Sequence, residues 1–316
     1  MTVATIKPRM AVKHKHKIRW NRILPFYIMG APMLIYLFIN NYMPLYGLLF
    51  AFKQVNLRKG VLGSPWVGLD NFLFLFATDD AWIMTRNTVL YNLAFLILGP
   101  ILGITIAICL NTVRSKLAGK IYQTTILLPN LMSMVVVSYL VYALLSPSTG
   151  MLNSLIQAFG GTKIDWYADA AKWPFILIFT NQWHALGFNS IVYLSSIVGI
   201  SQDYYEAAEL DGASKWQQIT KITLPLLKGT VITLTILGIG RMFRSDFGLF
   251  YQVPMNNGAL YSTTQTIDTY VFRALLQLGN FGMSSAAGFY QSVVGFILVV
   301  TANAIIRKIS SSDALF

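Results

Sequence analysis

The sequence predicts an all-α membrane protein with six transmembrane helices and a helical segment on the cytoplasmic surface between the fourth and fifth. Three observations carry this reading. Only 11% of the 316 residues are charged while 55% are hydrophobic, against roughly 25% charged residues in soluble domains. Mean hydropathy is +0.56. Several apolar stretches reach about 20 residues, the length that crosses a hydrocarbon core.

Taken in order, the first span is expected at about 24–44, the second at 88–110 and the third at 121–145, interrupted by Pro129. The fourth is expected at 174–199, the fifth at 229–247 and the sixth at 286–306. The apolar stretch from Ile23 to Phe52 is longer than a signal-peptide core and lacks a clear cleavage site after it, so it reads as an uncleaved span. This divides the chain into a basic tail, 1–22, and a transmembrane domain, 23–316, which contains the polar segment 200–228.

Net charge is +12. Lys7, Arg9, Lys13, Lys15, Lys17, Arg19 and Arg22 crowd the tail without an acid. Beside a span, such a cluster orients the chain and contacts anionic lipid, so nucleic acid is not expected as a partner. Arg114, Lys116 and Lys120, and then Arg307-Lys308, fall on the same side as the tail in a six-span topology. That side is the cytoplasm by the positive-inside rule, which places both termini and the 200–228 segment there. The lone Cys109 excludes an intrachain disulfide, and no cluster has metal-ligand spacing. Gly119-Lys120 lacks the rest of a phosphate-binding loop, so the chain is not expected to hydrolyse ATP itself.

The 200–228 segment reads as two short helices. Asp203 can cap the first, Gly212 ends it, residues 213–224 form the second, and Pro225 marks re-entry into the membrane. Its spacing is Glu206-Ala207-Ala208, three residues, Gly212, nine residues, Ile222, one residue, Leu224-Pro225. This resembles the EAA loop of the inner-membrane permeases of binding-protein-dependent ABC importers. NYMPLYGLLFAF (41–52), SPWVGLDNF (64–72), RNTVLYNL (86–93), ILLPNLMS (126–133) and TIDTYVFRAL (266–275) look like the oligosaccharide branch of that family, of LplB type.

The resemblance implies a type I importer permease fold, a bacterial cytoplasmic-membrane location and no catalysis by this chain. It implies a second, similar permease, two ATPase subunits carrying ATP and Mg, an extracytoplasmic binding protein and an oligosaccharide cargo. It makes Glu206, Ala207, Ala208, Gly212, Ile222, Leu224 and Pro225 the segment that couples to the ATPase. A permease of the same family for a lipid, peptide or amino acid is the alternative. A membrane-embedded glycosyltransferase would want paired acids or a metal motif, and a passive channel would need no coupling loop.

Polar groups inside spans are costly unless they line water or find partners. The fourth span carries Asn181, Trp183, His184 and Phe188, and the fifth carries Arg241, Arg244 and Asp246 near its outer end. Aromatic faces and planar polar groups suit sugars, and maltose-type permeases, a more distant resemblance, build their sugar site on these two spans. Trp183 equally suits packing and His184 a satisfied bundle histidine; the two arginines suit snorkelling to the headgroups, a pairing with Asp246, or bidentate contacts to an anionic sugar such as a uronate. Pro44, Pro100 and Pro129 read as hinges or as kinks.

Overall fold

The computed structural model describes residues 20–56 and 58–309. The basic tail residues from Lys7 to Arg19 lie outside them. Apart from one bridge between Lys53 and Trp66, no strand pairing occurs among the described residues. The chain forms two compact units, 1–47 and 48–316.

In the first unit, α1 (Trp20–Leu37) passes through Pro25 and Pro32 into a π turn, Phe38–Tyr42. A 3-10 stretch, Met43–Phe52, follows and contains Pro44. The apolar helical run extends over Leu24–Phe52, past the expected boundary at 44.

The second unit begins within that 3-10 stretch, at Leu48, and continues with the short helices α2 (Gly60–Gly63) and α3 (Asp70–Phe76). Next comes α4 (Asp80–Asn111), which continues straight through Pro100. After α5 (Lys116–Leu127) the chain breaks at Leu128–Leu131, and α6 (Met134–Leu145) leaves at 96° to it. Pro129 is therefore part of a true break. It has no amide hydrogen to continue the ladder, and Ser133 starts the new helix by accepting from the Val136 amide at 3.4 Å.

After α7 (Met151–Ala158) comes the long α8 (Trp173–Val198), which bends by 68° into α9 (Gln202–Leu210). The short α10 (Lys215–Gln218) runs through a π turn, Ile219–Thr223, into α11 (Leu224–Ile239). Small helices follow, α12 (Tyr261–Thr264) and α13 (Ile267–Leu276), before α14 (Phe281–Ile309). Among the described residues, four helices are long and apolar enough to cross a membrane, or up to six if each bent pair is one span.

The pairing of α4 with α8 organises this unit. Gly103 has no Cβ where the Tyr193 ring lies about 3.0 Å from that position, and Gly99 faces Asn189 in the same way. Leu90 and Ile178 line one cavity at one end of the pair, and Ile108 and Ile197 line another at the other end. The two helices therefore run parallel. A third contact is tighter still. A Cβ on Gly187 would lie 2.2 Å from the Ile126 carbonyl oxygen, so the α5 backbone rests directly on α8.

Candidate functional site: the 200–228 hairpin and the open face of α8

The polar segment folds as a hairpin whose turn is fixed by Gly212. That residue has φ +77°, a left-handed conformation that costs glycine least. The Gly212 amide donates to the Glu209 carbonyl at 3.1 Å, and the Ala213 amide donates to the Ala208 carbonyl at 2.8 Å. This is a Schellman motif, which satisfies the last carbonyls of α9. Ala208 thus supplies a carbonyl to the turn.

The start of α9 differs from expectation. Ser201 is the cap, accepting from the Asp203 amide at 3.3 Å, while Asp203 sits in the first turn. The second expected helix, 213–224, is not separate. Ser214 and Gln217 form a capping box, and the helix then continues into α11 through the π turn. Ile222 lies in that turn, and Leu224 and Pro225 open α11. The widened turn accommodates Pro225, which cannot donate to the regular helical ladder.

The arms of the hairpin are tied together. Glu209 pairs with Lys215 and accepts from Gln218 at 3.3 Å, and the Tyr205 hydroxyl bonds Thr223 at 2.9 Å. The outward surface is free. Glu206 and Ala207 are exposed, and beside them Tyr204, Leu210 and Trp216 are 59%, 90% and 72% exposed. Sequence reasoning did not single out these three residues, because each stands among polar neighbours.

On α8, Asn181, His184 and Phe188 fall within an arc of about 60°, and Trp183 lies about 160° from Asn181. Trp183 therefore does not join their face. His184 is engaged, with Nε2 3.1 Å from the Met132 carbonyl oxygen in the break between α5 and α6. Its role in the fold is to satisfy a group freed by that break. Asn181 is half-buried and makes no hydrogen bond within the described residues, and Phe188 is 59% exposed.

The fifth-span residues are placed differently from expectation. Helix α11 ends at Ile239, so Arg241, Arg244 and Asp246 lie on the irregular segment beyond it. Backbone groups freed there are taken up by three other elements. Asn92 donates to the Arg244 carbonyl at 2.9 Å, and Gln291 donates to the Phe243 carbonyl at 2.8 Å. Asp268 accepts from the Ser245 amide at 2.6 Å and from its hydroxyl at 2.8 Å. Asp246 does not pair with either arginine; it accepts from the Leu249 amide at 3.0 Å to start the next turn. Ion pairs among the described residues are confined to Lys172–Asp169 and Lys215–Glu209, which leaves Arg241 and Arg244 exposed and unpaired. Asn92, Asp268 and Gln291 lie far away in sequence, so their part in this segment left no local signal. No group of three or more potential metal ligands occurs among the described residues.

Long apolar helices, two bent helix pairs and a capped polar hairpin describe a multi-pass membrane protein. The chain belongs to the family of binding-protein-dependent transport system inner membrane components, whose model matches residues 99–311. It is 36% identical to the polygalacturonan/rhamnogalacturonan transport system permease protein YteP of Bacillus subtilis, over 89% of this chain and 87% of that one. It is 33% identical to the B. subtilis protein LplB, over 89% and 88% of the two chains. Among solved structures, it superposes on a chain of a bacterial ABC transporter involved in the import of the acidic polysaccharide alginate. That match has TM-score 0.83 and 34% identity, and covers 92% of this chain and 98% of that one. A second structure shows the alginate transporter in complex with a pentasaccharide-bound periplasmic protein, with TM-score 0.83 and 33% identity over 93% and 99% of the chains. The chain is thus an all-helical, multi-pass permease of the ABC importer class.

Proposed function

We propose that this permease takes up oligosaccharides delivered by an extracytoplasmic binding protein, and that it works by alternating access driven from separate ATPase subunits. The observation that carries the coupling half is the hairpin. A Schellman turn at Gly212 closes the hairpin, and Glu206, Ala207, Leu210 and Trp216 on its arms are exposed. Exposed apolar side chains and the unpaired Glu206 carboxylate suit a protein groove that offers a cation. In this reading the ATPases bind ATP and Mg, a second, similar permease completes the pore, and the hairpin and both termini face the cytoplasm.

The oligosaccharide cargo is supported by relatives whose names specify polygalacturonan/rhamnogalacturonan, trehalose/maltose and arabinooligosaccharides. The substrate path is assigned to the open face of α8, where Asn181 offers an unpartnered amide and Phe188 an exposed ring. Trp183, 37% exposed on another side of α8, and His184, bonded to the Met132 carbonyl, are left out of this path.

The test is reconstitution of the permease with its partner permease, ATPases and binding protein in proteoliposomes. Saccharide-stimulated ATP hydrolysis with uptake is expected, and Glu206→Lys should uncouple the two. Uptake of no saccharide, or unchanged coupling in that variant, would sink the respective half of the reading.

A further inference from the structure

A cavity of about 380 Å³ opens between the first turns of α4 and α8, at the ends of both helices remote from the hairpin. Its walls include Leu90, Tyr91, Pro174 and Ile178, and its polar members are Arg86, Asn87 and Thr263. The Arg86 guanidinium is held from one side. Its Nε and Nη2 donate to the Asn87 side-chain oxygen at 3.3 and 3.0 Å, and Nη2 also donates to the Ser262 carbonyl at 2.6 Å. Asn87 is itself fixed, since its amide donates to the Gln265 carbonyl at 2.9 Å. Both hydrogens on Nη1 remain unused, and no carboxylate among the described residues pairs with Arg86.

The position of this cavity along α8 extends the argument. Pro174 and Ile178 project within about 80° of Asn181 and Phe188 at 100° per residue. Ile178 precedes Asn181 by one turn. The cavity therefore stands at the head of the same open face that carries the free amide and the exposed ring. A fixed, unpaired guanidinium over apolar walls and an aromatic side chain matches the chemistry of a uronate, whose carboxylate takes charge-assisted hydrogen bonds while its C–H face packs on apolar groups.

We propose that the Arg86 cavity is the first subsite for the carboxylate of an acidic sugar unit entering the permease, which makes Arg86 a determinant of selectivity for acidic oligosaccharides. This rests on the assignment of the α8 face as the substrate path. Neutralisation of Arg86 by an acid from a partner subunit is the competing outcome.

The experiment compares uptake of an oligouronide with that of its carboxyl-reduced, neutral counterpart in the reconstituted complex. For Arg86→Gln, the half-saturating concentration should rise at least fivefold more for the oligouronide than for the neutral sugar. Arg86→Lys, which keeps the charge but loses the planar fork, should recover part of that difference. Equal effects on both sugars would overturn the proposal and give Arg86 a structural or subunit-pairing role, and so would no effect on either. If wild-type protein takes up neither sugar, the broader transport reading fails instead. Wild-type uptake of the neutral form alone would refute the subsite and leave that reading intact.

Discussion

Gly187→Ala tests whether the crossing of α5 and α8 is as tight as it looks. The new methyl group would stand 2.2 Å from the Ile126 carbonyl oxygen, 2.7 Å from the carbonyl carbon and 2.8 Å from the Leu127 Cα, where ordinary contact starts at 3.4 Å. All three are backbone atoms, so no side-chain rotation relieves the clash. The helices must separate by about 1 Å, and overpacking of this kind costs about 1–3 kcal/mol. One turn away, the His184–Met132 bond at 3.1 Å must lengthen with it. Thermal unfolding in detergent should fall by on the order of 5 °C, with a parallel loss of uptake. Gly229→Ala is the internal control. It lies in α11 with nothing within 4 Å of the added carbon, and should raise stability by about 0.5–1 kcal/mol. If the Gly187 variant melts and transports like wild type, the close-contact argument is refuted.

Three further outcomes follow from the same geometry. Gly212→Val forces a branched side chain to φ +77°, at a cost of about 1–2 kcal/mol or more. It should abolish saccharide-stimulated ATP hydrolysis and lower the melting temperature by only a few degrees; retained stimulation would show that the turn does not set the docking surface. His184→Ala leaves the Met132 carbonyl without its partner, a loss of about 1–3 kcal/mol, which His184→Gln should partly restore. A change in saccharide affinity without a change in melting would instead make the ring a ligand. Asp268→Ala removes the acceptor of the Ser245 amide and hydroxyl and of the Gln291 amide. It should lower stability by about 3 kcal/mol and expose a cysteine placed at 241 to faster thiol labelling; unchanged labelling would refute the clamp.

What could be read from the sequence depended on the range of the determining contacts. The hairpin turn was legible because Gly212 and its spacing from Glu206 record a local backbone requirement. Apolar length announced the spans. The interruption at Pro129 was visible, but a missing amide hydrogen does not specify the 96° angle at which α6 departs. The α5 backbone just before the break rests on Gly187, 58 positions after Pro129, and nothing local marks a glycine that receives another helix's backbone. The end of α11 at Ile239 was legible in part, since residues 240–247 carry Arg241, Arg244 and Asp246, three charges in eight residues. What left no local signal is that Asn92, Asp268 and Gln291 take up the backbone groups that a helix would have satisfied internally. The expected pairing of an arginine with Asp246 failed because a nearby amide, that of Leu249, claimed the carboxylate oxygen.

These constraints converge on α8. One side packs on α4 through Gly99 and Gly103, and another carries the α5–α6 break through Gly187 and His184. Its remaining face holds Pro174, Ile178, Asn181 and Phe188. Its far end turns directly into α9 and the hairpin. The hairpin's other arm is continuous with α11 through the π turn, and Tyr205–Thr223 ties the two arms together. A docking force on the exposed patch therefore has two covalent routes into the bundle, through α8 and through α11. Close glycine contacts resist gradual deformation of the α8 packing, so such a force favours movement of α4, α5 and α8 as one body over bending within them. In that motion the open face of α8 keeps its shape while its access changes, as a saccharide path must if the sugar is held while the pore switches sides.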